Sequence, residues 1–224
     1  MLIFNTKMLT TPKGFTLIET AFVIIVLGVI VSILTSLVPQ RLKAGKNDAT
    51  QAIVADSDQA LEGYLAAFGR LPCPDTSGDG FENRSNSGTP ANFADDTCSA
   101  YVGDLPFRTV GLPAGQDSWG SSLEYAVHAD LIGNASVTLC ASLKSIIVSV
   151  AACDTAKLHA TSSGSSVNQA CLVISSGPNR QRDGLNSGSD LEFEAPDRLP
   201  VSDYDDILVS RPFVNLYGRH CTGL

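Results

Sequence analysis

Lys13-Gly14-Phe15-Thr16-Leu17-Ile18-Glu19 opens the stretch that decides the fold of this 224-residue chain. A leader with two lysines, Lys7 and Lys13, ends at Gly14, and an apolar run of 24 residues follows from Phe15 to Val38. The run carries a single charge, Glu19, five residues after the glycine. About 20 apolar residues suffice to cross a bilayer, so the run is long enough for a membrane helix. A secretory signal has an apolar core of only about 7–15 residues and an A-x-A-like cleavage site. Neither fits here, because the run ends in Ser36-Leu37-Val38-Pro39. A carboxylate inside a membrane span costs about 2.5–3.5 kcal/mol at a helix centre on insertion scales, and less near an end. Glu19 therefore calls for a partner. If the chain were cut after Gly14, the new α-amine of Phe15 would lie at the mouth of the same helix. Glu19 of one subunit could then pair with the amine of its neighbour.

These residues resemble the type IV pilin family, including the pseudopilins of type II secretion. The resemblance rests on the basic leader, on Gly14, Phe15, Thr16, Leu17, Ile18 and Glu19, and on the apolar helix that follows. It implies cleavage between Gly14 and Phe15 by a membrane aspartyl prepilin peptidase, N-methylation of Phe15, and assembly into a filament through Glu19. Met8 as an alternative start would leave a seven-residue leader. The implied partners are other pilin or pseudopilin subunits, the peptidase, an inner-membrane assembly platform and, before assembly, the membrane itself. The implied location is a single pass of the inner membrane with a periplasmic domain, followed by a periplasmic pseudopilus or an extracellular pilus. The rival expectation is a monomeric, membrane-anchored periplasmic binding domain that never polymerises. Glu19 and Gly14 argue against it.

The organisation expected is a leader over 1–14, a filament-core helix over 15–38, an amphipathic half-helix over 39–69 and a globular domain over 70–224. Pro39 is expected to kink or break the helix. Beyond it, Leu42, Ala49, Ile53, Ala60, Tyr64 and Phe68 fall at helical spacing and form an apolar stripe. Arg41, Lys43, Lys46, Asp48, Asp56, Asp58 and Glu62 fill the opposite face. Gly69 and Leu71-Pro72 stop the helix. Segments 122–128, 136–143, 145–151 and 170–175 read as strands, and 207–209 as a last short one. Residues 73–98, 154–168 and 177–206 read as loops. The fold class is α+β and pilin-like: a long helix laid on a small antiparallel sheet with disulfide-pinned loops.

The formal charge is −8, and removal of residues 1–14 with their two lysines makes it −10. Nucleic-acid binding favours clustered Lys and Arg, so no nucleic acid is expected as a partner. Six cysteines, Cys73, Cys98, Cys140, Cys153, Cys171 and Cys221, all follow the apolar run. In an exported domain they point to disulfides, with 15 pairings open to six cysteines. Proximity favours Cys73–Cys98 and Cys140–Cys153, leaving Cys171–Cys221. No C-x-x-C pair occurs, which argues against zinc. No G-x-S-x-G elbow and no G-x-x-x-x-G-K-[ST] loop occurs, so an enzyme is not expected.

Two acidic loops are candidates for calcium, although assembly as such requires no cofactor. Asp75-Thr76-Ser77-Gly78-Asp79-Gly80 matches the first half of an EF-hand loop, with oxygens from Asp75, Ser77 and Asp79 and glycine at position six. Asn86 stands where a glutamate would complete it. The competing reading is an Asp/Gly-rich turn pinned by Cys73. The second loop runs from Ser176 to Asp206. Its ends, Ser175-Ser176-Gly177-Pro178-Asn179 and Asp203-Tyr204-Asp205-Asp206, resemble the calcium loop of major pseudopilins. That resemblance implies ligands from Asn179, Asp203 and Asp206, though the family motif usually carries Asp where Asn179 stands. Asp183, Asp190 and Asp205 add further oxygens, and Arg180, Arg182 and Arg198 are bases able to offset them without an ion. Asp117-Ser118-Trp119-Gly120, followed by Leu123-Glu124-Tyr125, resembles the Asp-x-Trp-Gly turn and aromatic strand of the same pseudopilins. Trp119, the only tryptophan, is expected to anchor that turn.

Overall fold

The computed structural model describes residues 14, 16–85, 97–133, 139–149, 153–188, 190–199, 201 and 203–221, without the side chains of 36–38 and 149. The chain divides into two compact units, Met1–Ala44 and Gly45–Leu224. The first helix, α1, is Leu17–Phe68.

Within the first unit, the described side chains of α1 are exposed, including Leu17, Ile18, Phe22, Ile24 and Ile25. The helix is long and apolar enough to cross a membrane. It runs unbroken through Pro39, where a kink or a break was expected. A proline ring removes one hydrogen bond of the ladder and crowds one carbonyl. In a 52-residue helix the remaining ladder carries the chain past that point.

Within the second unit, α1 buries Thr50, Val54, Ser57, Asp58, Leu61 and Leu65. This face lies about one residue, or about 100°, from the stripe expected from Ala49, Ile53, Ala60, Tyr64 and Phe68. Phe68 is in fact 59 % exposed. The buried face departs from the apolar stripe because small polar residues, Thr50 and Ser57, sit in it. Ser57 satisfies its hydroxyl internally, donating to the Ile53 carbonyl at 2.8 Å. Asp58, expected on the solvent side, is buried against Arg211. The helix ends as expected at Gly69, whose φ of +68° takes the left-handed turn and whose N–H reaches the Leu65 carbonyl at 2.8 Å.

Six strands follow: β1 Val102–Asp104, β2 Glu124–Val127, β3 His159–Ser162, β4 Ser165–Ser175, β5 Glu192–Glu194 and β6 Ile207–Pro212. They form one sheet in the order β1-β2-β4-β3-β5, with β6 also paired to β4. The 11-residue β4 is the spine, buried from Asn168 to Ser175. The sheet is mixed rather than wholly antiparallel, because β3 and β5 run parallel, with Ala160 opposite Phe193. Residues 154–168 are not all loop. Ser162 pairs with Ser165, so Ser163-Gly164 is a two-residue hairpin turn with both φ values positive, 48° and 80°. That is the type I′ geometry whose twist matches paired strands.

The segments 136–143 and 145–151, expected as strands, contain helix α2, Leu139–Ser149; residues 136–138, 150 and 151 lie outside the described residues. Leu143 and Ile146 are buried, with Leu139, Cys140 and Ile147 packed beside them, which is helical spacing. Tertiary burial overrides the strand preference of Ile146-Ile147-Val148. A third helix, α3, Phe213–His220, buries Phe213 and Leu216. The main core joins Val54, Leu61 and Leu65 of α1 with Leu123, Tyr125, Val127, Val173, Leu143 and Leu216.

Two disulfides form, Cys73–Cys98 and Cys140–Cys221, leaving Cys153 and Cys171 free. The expected Cys140–Cys153 and Cys171–Cys221 pairs are overturned. Helix α2 carries the chain about 13 Å away from Cys140 by Ser149, at 1.5 Å per residue, and Cys140 bonds instead to Cys221, beyond the end of α3. Cys171 points its thiol into the core from β4.

Candidate functional site

The N-terminal segment begins with Gly14, which is exposed; a Cβ placed on it would meet nothing within 4 Å. Phe15, the expected methylation site, lies outside the described residues. Glu19 sits in the first turn of α1, exposed, where a carboxylate complements the helix dipole. Its N–H reaches the Thr16 hydroxyl at 3.4 Å and the Thr16 carbonyl at 3.1 Å. Thr16-Leu17-Ile18-Glu19 thus has the T-x-x-E pattern of a helix start, with the Thr16 hydroxyl capping the Glu19 N–H.

The first acidic loop is organised around Asp75, which is 2 % exposed. Its Oδ1 accepts from the Ser77 N–H at 2.8 Å, the Ser77 hydroxyl at 3.0 Å and the Gly78 N–H at 2.8 Å. Its Oδ2 accepts from the Gly80 N–H at 2.6 Å. Burial alone would raise this carboxyl, but the Gly80, Ser77 and Gly78 donors outweigh it and hold it below the usual range. The two positive-φ glycines, Gly78 and Gly80, turn the backbone N–H groups onto the carboxylate. Asp79 faces away and accepts from the Phe81 N–H at 2.9 Å. Beside this loop the Arg70 guanidinium grips Glu82 at 2.7 and 2.9 Å, and Glu82 also accepts the Cys73 N–H at 3.0 Å. Asn86 lies outside the described residues.

The second acidic loop gathers three carboxylates. Oxygens of Asp183, Asp205 and Asp206 lie within 4.8 Å of one another. The strand β6 carries Asp205 and Asp206 at its entry, and the short 3-10 turn Gly184–Ser187 follows Asp183. Asp206 is 5 % exposed. Its Oδ2 accepts from the Asp183 N–H at 2.9 Å and the Asn186 amide at 2.8 Å. Its Oδ1 is buried with no hydrogen-bond partner. Burial pushes the Asp206 carboxyl up to about 6, against the pull of its two donors. Of the residues expected here, Asp206 belongs to the group. Asn179 borders it, donating its side-chain amide to Asp183 at 3.2 Å and its backbone N–H to Asp205 at 3.3 Å. Asp203 is exposed and stands outside the trio. Asp183 and Asp205 join in place of Asp203, held together by the Asp205 N–H, which donates to Asp183 Oδ2 at 3.0 Å, as well as by Asn179.

Of the bases expected to offset these carboxylates, Arg182 turns to Glu124 on β2 at 2.5 Å, and Arg198 pairs with Glu194. Neither of these two arginines therefore supplies its charge to the three aspartates through an ion pair. Hard oxygens converging within 4.8 Å, one of them buried and unbonded, are a donor set that could hold a divalent cation. Comparison with protein-family models, with curated proteins and with solved structures returns no match.

Proposed function

We propose that the chain is a pilin-like structural subunit, a minor pilin or pseudopilin of a type IV pilus or type II secretion filament. In this reading a prepilin peptidase cuts after Gly14, and the subunit assembles with its copies through the N-terminal part of α1. The observation that carries the proposal is the Gly14–Glu19 segment. An exposed apolar helix begins at Leu17, three residues past a glycine for which the fold makes no demand, since a Cβ at position 14 would meet open space. The need for glycine then lies in what is done to the backbone there. A branched side chain would crowd a scissile bond.

Glu19 is the only charge between Leu17 and Pro39. In a packed stack of such helices its carboxylate would be desolvated unless it met a cation. The freed amine of a neighbour's Phe15 supplies one and sets the register of the stack. Leu17, Ile18, Phe22, Ile24 and Ile25, all exposed in the single chain, would be covered by the membrane first and by other copies afterwards.

The acidic loop fits calcium as a structural ion. Asp183, Asp205 and Asp206 would hold it, and Asn179 would position Asp183. The ion supplies positive charge that lets three adjacent carboxylates stay ionised. The side chains themselves tie the loop entry at Asn179 to the strand entry at Asp205.

Mass analysis of the assembled protein tests the processing step. The expected mature chain starts at a methylated Phe15, and Gly14→Val accumulates the uncut form. An intact leader on assembled protein would overturn the proposal. Glu19→Ala separates polymerisation from anchoring. Insertion is retained and filaments are lost, whereas filaments of normal number from this variant would contradict the role given to Glu19.

A further inference from the structure

The acidic loop and helix α1 grip the same four-residue turn, Asp117-Ser118-Trp119-Gly120, from two sides. On the loop side, the Arg180 guanidinium donates to the Trp119 carbonyl at 2.6 Å. The Ser175 hydroxyl donates to Asp117 Oδ2 at 2.6 Å and accepts the Gly177 N–H at 3.1 Å. On the helix side, the Ser118 hydroxyl donates to the Lys46 carbonyl at 2.6 Å and meets the Thr50 hydroxyl at 2.5 Å. The Lys46 ammonium lies 4.8 Å from the centre of the Trp119 ring. The turn itself is rigid. Asp117, 6 % exposed, holds the Trp119 and Ser121 N–H groups at 2.9 Å each, and Gly120 takes a φ of +85°. All of these residues belong to the second unit.

We propose that this turn couples the cation site to α1, so that loading Asp183, Asp205 and Asp206 fastens the Lys46–Thr50 stretch of the helix. The inference rests on the cation reading given above. The link begins at Asn179, whose backbone and side chain donate to Asp205 and Asp183. The next residue, Arg180, is held at a φ of +60°, a conformation that a non-glycine residue keeps only when its surroundings impose it. With the ion bound, the carboxylates stay together, Asn179 stays seated, and Arg180 is held against the Trp119 carbonyl. Without the ion, three adjacent carboxylates repel, and the strain at Arg180 is relieved by releasing the turn. Each state of the loop thus presents a different partner to the turn, which is what coupling requires. The far end of the link is a buried, fully covered residue of α1, Thr50. Cation occupancy thereby reaches the part of α1 that belongs to the second unit.

Trp119 is the only tryptophan in the chain, so its emission reports the turn directly. The full-length chain in detergent micelles is titrated with calcium chloride and followed by calorimetry, by Trp119 emission and by hydrogen exchange. Expected for the unaltered chain are binding heat, a shift in Trp119 emission that saturates with it, and about tenfold slower exchange at residues 46–50. Expected for Arg180→Ala is retained calcium binding, weakened by no more than about tenfold as reciprocity requires, with the emission shift and the protection of 46–50 lost. Binding heat with no change in emission or exchange would overturn the coupling and leave the cation site standing. An unchanged response in Arg180→Ala would do the same. No binding heat in the unaltered chain would overturn both.

Discussion

Arg211 on β6 donates its Nε to Asp58 Oδ1 of α1 at 2.8 Å, and its Nη2 donates to Oδ2 of the same carboxylate. The two residues are 153 positions apart in sequence, and Asp58 is buried. Glu62, one turn further along α1, lies 3.5 Å from the same guanidinium, 2.7 Å from Arg219 and 3.3 Å from His220. A helix face that carries acids is therefore docked on the sheet through the basic end of the chain.

Removing the cation from this pair should be costly, because the carboxylate of Asp58 would remain buried without a partner. Arg211→Met keeps the apolar stem and deletes the charge; it should destabilise by about 3–5 kcal/mol. Denaturant unfolding of the full chain in detergent measures it. A change under about 1 kcal/mol would place the pair among solvated surface bridges.

The disulfide pattern gives a second test. Loss of Cys140–Cys221, which closes a loop of 81 residues, should cost about 4–5 kcal/mol in the chain-entropy model. Cys221→Ser and Cys140→Ser should be equivalent, and Cys153→Ser should leave stability nearly unchanged. Burial, and after it the Asp58 carboxylate, holds the Cys171 thiol well above its ordinary value against the pull of Arg211. An alkylating reagent should accordingly label Cys153 in the folded protein and Cys171 only after unfolding. Cys153 resistant to alkylation until reduction would restore a pairing the structure excludes.

The sequence made the membrane-length helix legible because an unbroken apolar run needs no tertiary context. Gly69 was equally legible, since a glycine just past a periodic segment is a local signal. The face of α1 was not, because Thr50, Ser57 and Asp58 are buried by partners on distant segments: Ser118 for Thr50 and Arg211 for Asp58. Helix α2 was missed for the same reason. Its β-branched residues favour a strand, and only its packing makes it helical. The hairpin at Ser163-Gly164 carried a local signal, a Ser-Gly pair between Ser/Thr runs, which the loop-like composition obscured. At the acidic loop, the abundance of aspartates was readable but the choice among them was not. Gly177-Pro178 marks a turn locally. The bonds that select Asp183 include, besides that to Asn179, those to Asp205 and Asp206, 22 and 23 residues away, which leave no pattern in the sequence.

Glu124 offers a pH test that is run with the acidic trio kept empty by chelator. Burial raises its carboxyl to about 7, with Arg182 pulling the other way and Asp104 and Asp206 adding to the rise. In the unfolded chain a glutamate titrates near about 4.3. A carboxyl raised on folding binds its proton more tightly in the native state. Its contribution to stability is thus complete below about pH 4.3 and is lost as pH rises through about 7. In chelator, the melting temperature should fall between pH 5 and 7.5 more steeply for the unaltered chain than for Glu124→Gln. Parallel curves would show that Glu124 titrates as an ordinary surface glutamate.

Gly177 sits where the acidic loop leaves β4, with a φ of +60°. A Cβ there would come within 2.3 Å of the Asp205 carbonyl oxygen and 2.9 Å of Asp205 Oδ1. Backbone cannot yield at that distance, so Gly177→Ala must push the loop away from the entry of β6. The strain alone should cost about 1–3 kcal/mol. The displacement also separates Asp205 from Asp183, so the melting temperature of Gly177→Ala should gain less from added calcium than that of the unaltered chain. Gly63→Ala is the control. Gly63 lies inside α1, a Cβ there would meet nothing within 4 Å, and alanine should stabilise the helix by about 0.5–1 kcal/mol. If Gly177→Ala keeps both its stability and its full calcium response, the close approach of Gly177 to Asp205 does not shape the cation site.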